Sequence, residues 1–237
     1  MVSEKAAQRR SPKLPALADL REGEQGAFEF MQTRIRGSED ARIGHVAGEP
    51  YAVAYFRGLA NTPVIGEALA RLGQVAMEVP GRSGTLSAAD HEFADAVIAF
   101  DSGYTWLMAG HGSLAIQAGV RIEALEALRD GREQDLNEDE AQQAAFVRAV
   151  RDGAVTEEIW RRMVERLGSE RGAIEYAFFV CLVLLNHLMA SAMGAPDMTA
   201  DELSSMFERF RKKEPMTSYR DYARIYGDAA FRVDSDD

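Results

Sequence analysis

The segment from residue 176 to residue 193, YAFFVCLVLLNHLMASAM, constrains this chain more than any other stretch. It is almost wholly apolar, and it approaches the ~20 residues of a bilayer-spanning helix. Only lipid or the interior of a helical bundle suits it. Asn186 and His187 sit inside it, Arg171 and Glu175 lie just upstream, and Lys and Arg do not flank both ends as anchors. The sequence therefore predicts the most buried helix of a soluble bundle, with no membrane partner. A chain of 237 residues, 46% hydrophobic and 27% charged, is long and apolar enough to build a core around it. The formal charge of −11 argues against nucleic acid and anionic lipid, which need concentrated Lys and Arg. The opening MVSEKAAQRRSPKLP lacks the apolar run of a secretory signal. The one cysteine, Cys181, can form neither an internal disulfide nor a cysteine-based zinc cage, and its apolar neighbours suggest an inert buried thiol. The expected compartment is the cytoplasm.

Elsewhere the pattern is helical. Residues 1–13 read as a disordered lead. Leu17, Leu20, Phe28, Met31 and Ile35 recur near helical spacing, and Gly37 to Pro50 is loop-like. Helices are expected over Tyr51–Leu59 and over 63–77, the second with Pro63 in its first turn, followed by a turn at Val79–Thr85. Ser87 with Asp90 caps the helix that Asp101-Ser102-Gly103 ends, and the next helix is expected from Tyr104 to Gly119. Asn137 with Glu140, Thr156, and Thr199 with Glu202 open three more. No segment alternates with period two, so the fold class is all-α. Residues 14–198 form the main helical domain. Residues 199–237 form a helical extension with a Tyr219/Tyr222/Tyr226 stripe and an acidic tail.

Several chemistries have no motif here. The chain has no HExxH and no histidine pair at i, i+4, so no metal site is expected. It also has no GxSxG, P-loop or strand-linked GxGxxG. One constellation remains: Glu92, then Tyr104, Trp106, Leu107 and His111. A helix from Tyr104 would place Tyr104, Leu107 and His111 on one face. Gly110 and Gly112 leave room beside the histidine for a ligand or a helix. Glu92 stands among Phe93, Val97 and Phe100, where desolvation favours acid/base use. His187, beside Asn186 in the apolar helix, is a second pocket group. Each has a plainer explanation: a hydrogen-bonded core histidine, a salt-bridged carboxylate, or aromatic packing at Trp106.

The stretch Glu92…Gly103-Tyr104-Thr105-Trp106-Leu107…His111 resembles the core motif of the carboxymuconolactone decarboxylase family, which also holds the alkylhydroperoxidase D proteins. That motif is an Arg-Glu pair opening a helix, then Asn-Gly-Cys-x-Tyr-Cys-x-x-x-His. Here His91-Glu92 stands for the pair, with twelve positions from Glu92 to Tyr104 and seven more to His111. The run from Tyr55 to Pro63, the Ala118-Gly119 pair with Ile122–Leu128, and the second half to Gly194 are also similar to the family. The likeness covers about Leu14 to Pro196.

What the resemblance implies is an alkylhydroperoxidase D-like helical bundle that assembles as a homo-oligomer, a trimer or a multiple of one. The peroxidase branch uses two cysteines as its redox pair, and Tyr104 and Leu107 occupy those positions. Neither can supply a thiolate, so peroxide reduction is not expected. The decarboxylase branch needs no cysteine and no cofactor. It implies a small acidic lactone, with His111 and Glu92 as catalytic residues; Tyr104, Trp106, Leu107, His187 and Arg57 are the candidate substrate-binding residues. Arg57 or Arg82 is the candidate carboxylate clamp. Three functions stay open: a cofactor-free lyase or isomerase on a small lactone or enolisable acid, an antioxidant thiol peroxidase, and a non-enzymatic ligand-binding or scaffold protein.

Overall fold

The computed structural model of the chain describes residues 12–41, 45–46 and 49–214. The segment expected to be a disordered lead (but for residues 12 and 13), the Tyr219/Tyr222/Tyr226 stripe and the acidic tail therefore lie outside the described residues. The fold is all-α. In chain order the helices are α1 (Gln25–Ala41), α2 (Tyr51–Leu59), α3 (Pro63–Ser83), α4 (Ala88–Ser102), α5 (Met108–Ala118), α6 (Ile122–Asp130), α7 (Glu138–Asp152), α8 (Glu157–Leu167), α9 (Glu170–Ala192) and α10 (Ala200–Arg211). The region expected as loop before Pro50 holds the end of α1 and a two-residue antiparallel pair, His45–Val46 with Glu49–Pro50.

Local chemistry sets most boundaries. Ser87 and Asp90 form a reciprocal cap at the start of α4, as do Asn137 and Glu140 at α7 and Thr199 and Glu202 at α10. Gly103 ends α4 at φ +66°, a conformation only glycine adopts readily. Two expectations are corrected. The turn placed at Val79–Thr85 is the last turn of α3, which continues through Pro80 to Ser83. Proline there forfeits one bond near the helix end, where the ladder is about to stop at Gly84 in any case. The helix placed at Tyr104 begins at Met108 instead. Asp197 accepts hydrogen bonds from the Thr105 backbone N–H at 2.7 Å and its hydroxyl at 3.1 Å, which ties residues 104–107 into a turn.

The helix enclosed on all sides is α4, whose residues Asp90 to Ala99 are all buried among α5, α6, α7 and α9. The apolar helix α9 has a different place from the one its composition suggested. Tyr176, Phe179, Val180, Leu182 and Val183 face the core, while Ile174, Phe178, Cys181, Leu185 and Leu188 face outward and are exposed. It is long and apolar enough to cross a bilayer, with 44% of its apolar window buried. The Cys181 thiol is thus on the surface rather than in the core. Helix α10 closes the other side, burying Phe207 and Phe210 against α5 and α6.

Candidate active site

The site begins with one helical turn. Glu92 and Asp95 are three residues apart on α4 and therefore share a face. Both are almost completely buried, at 1% and 3% exposure. His111, in the first turn of α5, meets both: its Nδ1 lies 3.0 Å from Glu92 Oε2 and 2.9 Å from Asp95 Oδ2. These are hydrogen-bond distances, so one Nδ1–H is shared between two carboxylates. Nε2 is on the opposite edge of the ring. Burial works to lower the pKa of His111, but the charges and hydrogen bonds of Asp95 and Glu92 override it and hold the pKa well above the ordinary value. The resting state at neutral pH is therefore an imidazolium.

Two other histidines show the contrast. Burial pushes His91 and His187 each down to about 4, although the Asp95 charge works to raise both. His91 Nε2 and His187 Nδ1 are buried without a protein hydrogen-bond partner. Both histidines are accordingly neutral, and only the one bracketed by carboxylates carries charge.

Glu92, Asp95 and His111 line a cavity of about 230 Å³. Its walls are mostly apolar and come from helices far apart in the chain. Leu69, Gly73 and Met77 come from α3, and Phe179, Leu182 and Val183 from α9. Its polar edge is Tyr55, whose hydroxyl donates to Asn186 Oδ1 at 2.9 Å. Arg34, from α1, is buried and also lines it. Trp106 lines it too and stacks obliquely on Tyr55 at 5.2 Å; its indole N–H is buried without a protein acceptor.

Of the residues singled out in the sequence, the cavity collects Glu92, His111, Trp106 and Leu107. Tyr104, Arg57 and His187 are not among its lining residues. Because α5 starts after Tyr104, that side chain does not share a face with His111. Its hydroxyl donates to the Ala195 carbonyl at 2.7 Å, and its ring meets His187 edge-on at 5.1 Å. The Arg57 side chain is half-buried on α2, and Arg82 pairs with Glu78 at the surface. The two glycines beside His111 divide their roles. Gly110 lines the cavity, while a Cβ on Gly112 would meet Met206 Sδ at 2.9 Å on α10.

Asp95 and Arg34 were missed. Both signals were present: Asp95 is an acid one turn past Glu92 inside an apolar run, and Arg34 falls within the Phe28/Met31/Ile35 stripe. Glu92, Asp95 and His111 also bring three potential ligand atoms within 4.8 Å of one another. A search for histidine pairs does not detect such a set, and two carboxylates with an imidazole suit a divalent cation chemically. No family model, no curated protein and no solved structure matches the chain.

Proposed function

We propose that the protein is a lyase or isomerase acting by general acid/base catalysis on a small lactone or enolisable acid, as the resemblance to the carboxymuconolactone decarboxylase family implies. The observation that carries this reading is His111, held through Nδ1 by two buried carboxylates on the wall of an apolar cavity. A carboxylate on Nδ1 fixes the tautomer and turns Nε2 into the working edge. The raised pKa makes His111 a proton donor in its resting state. In a decarboxylation, the bond between the carbon and the departing carboxylate breaks, and its electron pair spreads into an adjoining carbonyl as an enolate. The imidazolium then delivers its Nε2 proton to that carbon, carbon dioxide leaves, and solvent recharges the histidine. In an isomerisation the charged ring gives its Nε2 proton to one carbon, and the neutral ring left behind takes a proton from another, which restores the imidazolium. Arg34 and the Trp106 N–H are the polar groups suited to an acidic substrate. In this reading the protein is a cytoplasmic homo-oligomer, a trimer or a multiple of one, that needs no cofactor.

A thiol peroxidase is poorly supported, because Cys181 lies on the outer side of α9 and not among the cavity residues. The test is turnover of small lactones and enolisable carboxylic acids, read as carbon dioxide release or as solvent deuterium exchange by NMR. His111→Ala should slow it by roughly 10²-fold or more, the usual size of a general acid/base contribution. Activity should survive a chelator. An unchanged rate in His111→Ala sinks the assignment, and peroxide turnover that depends on Cys181 would replace it with the thiol chemistry.

A further inference from the structure

We propose that the outer face of α3 and α9 is the surface through which two copies of this chain bind each other. On α9 the outward positions from Ile174 to Leu188 are Ile174, Phe178, Cys181, Leu185 and Leu188, with no charged or amide side chain among them. Their spacing is four, three, four, three, the repeat that packs knobs into holes against another helix. On α3 the outward positions Ile65, Ala68, Leu72, Val75 and Val79 repeat the pattern as three, four, three, four. The large aliphatic and aromatic members of both stripes are 39–66% exposed. The two helices pack side by side, and each turns a different face to the cavity. Their outward stripes therefore form one apolar surface.

Size and charge identify the occupant. With Val64 included, the exposed side chains leave on the order of 800 Å² of apolar surface in water, matching the roughly 800 Å² per partner of a standard stable interface. The ion pairs beside the stripes are internally balanced: Glu67 with Arg71, Glu78 with Arg82, and Arg171 with Glu175. This rim is locally neutral on a chain of net charge −11. It therefore does not repel a second copy, and it lacks the basic surplus that anionic lipid selects. The α9 stripe is also nearly symmetric about Cys181, with Ile174 and Leu188 seven residues to either side. Crossing a second α9 antiparallel about a twofold axis would bring Cys181 opposite Cys181 of the other copy. Such a crossing also opposes the two helix dipoles. A twofold contact of this kind joins a dimer, or pairs trimers back to back.

The proposal does not depend on the acid/base chemistry, and His111→Ala should leave it untouched. Native mass spectrometry and light scattering of the full chain should give an even number of copies. A Phe178→Glu, Leu185→Glu variant with an unchanged helical spectrum should weaken association roughly tenfold or more, as loss of central apolar anchors does. A short bismaleimide should join two wild-type chains and no Cys181→Ser chains. A wild-type monomer at micromolar concentration, an odd number of wild-type copies, or an even-numbered assembly that survives the double variant overturns the proposal. So does binding to zwitterionic vesicles by a chain that does not self-associate, which assigns the face to lipid. If the double variant does not fold, the cross-link decides, and the absence of a two-chain product overturns the proposal.

Discussion

His111 illustrates how much a single residue depends on what the fold brings to it. Its spacing from Glu92 was legible in the sequence, but its place in the first turn of α5 was not, because that helix was expected to begin at Tyr104. The second carboxylate was not singled out, because Asp95 looked like one more polar interruption of an apolar run. Only the packing of α4 on α5 shows that both acids converge on one nitrogen. The consequence is measurable. An NMR titration should find the His111 ring still charged well above pH 6.5, and Asp95→Asn or Glu92→Gln should move its pKa down. The sign follows from linkage. With the folded pKa above the unfolded one, the contribution to stability is complete below the unfolded value and lost as pH rises through the folded value. The same deprotonation removes the resting proton donor, so turnover should decline on the alkaline side over the same range. A His111 pKa unchanged by either substitution would show that the carboxylates do not set it.

At the scale of elements, the caps were the most legible features. Ser87, Asn137 and Thr199 each sit three residues before an acid, and each opens a helix at the expected place. Such signals are local and need no tertiary information. The errors came where a distant group intervened. Asp197, ninety-two residues away in the chain, captures the Thr105 N–H and delays α5. The exposed outer stripe of α9 could not be seen either, because a helix that is apolar all round carries no mark of which side meets the core. The close approach of α10 to α5 was half legible as the Gly110/Gly112 pair. Replacing Gly112 with Leu should push against Met206 and Phe210, whose nearest atoms already stand 2.9 and 3.1 Å from a Cβ built there. Overpacking of this kind costs about 1–3 kcal/mol. Chemical denaturation should register it as a lower midpoint, and an unchanged midpoint would mean that α10 gives way without cost.

For the whole molecule, the buried histidines set an acid limit. His91 and His187 titrate at about 4 in the folded chain because burial penalises their charge, against an ordinary value of 6.5. The unfolded chain therefore binds protons first as pH falls from 6.5 to 4, and stability declines across that window. A loss on the order of 1–3 kcal/mol per histidine is expected. Denaturant melts at pH 7 and pH 4.5 should show it, and replacing His91 with Gln should flatten the decline. The periodicity spoke for an all-α chain, and the fold agrees. What it could not convey is that the cavity draws its walls from both ends of the sequence. That arrangement bears on how the protein is made. Helices α1 to α3 leave the ribosome about a hundred residues before Asn186, so at roughly 5–20 residues per second α3 waits some 5–20 s for the wall that completes the cavity. Through that interval Leu69 and Met77 on one side, and Leu72 and Val75 on the other, have no covering helix from later in the chain. The nascent protein is most vulnerable to aggregation during this pause, and the arrival of α9 ends it on the cavity side.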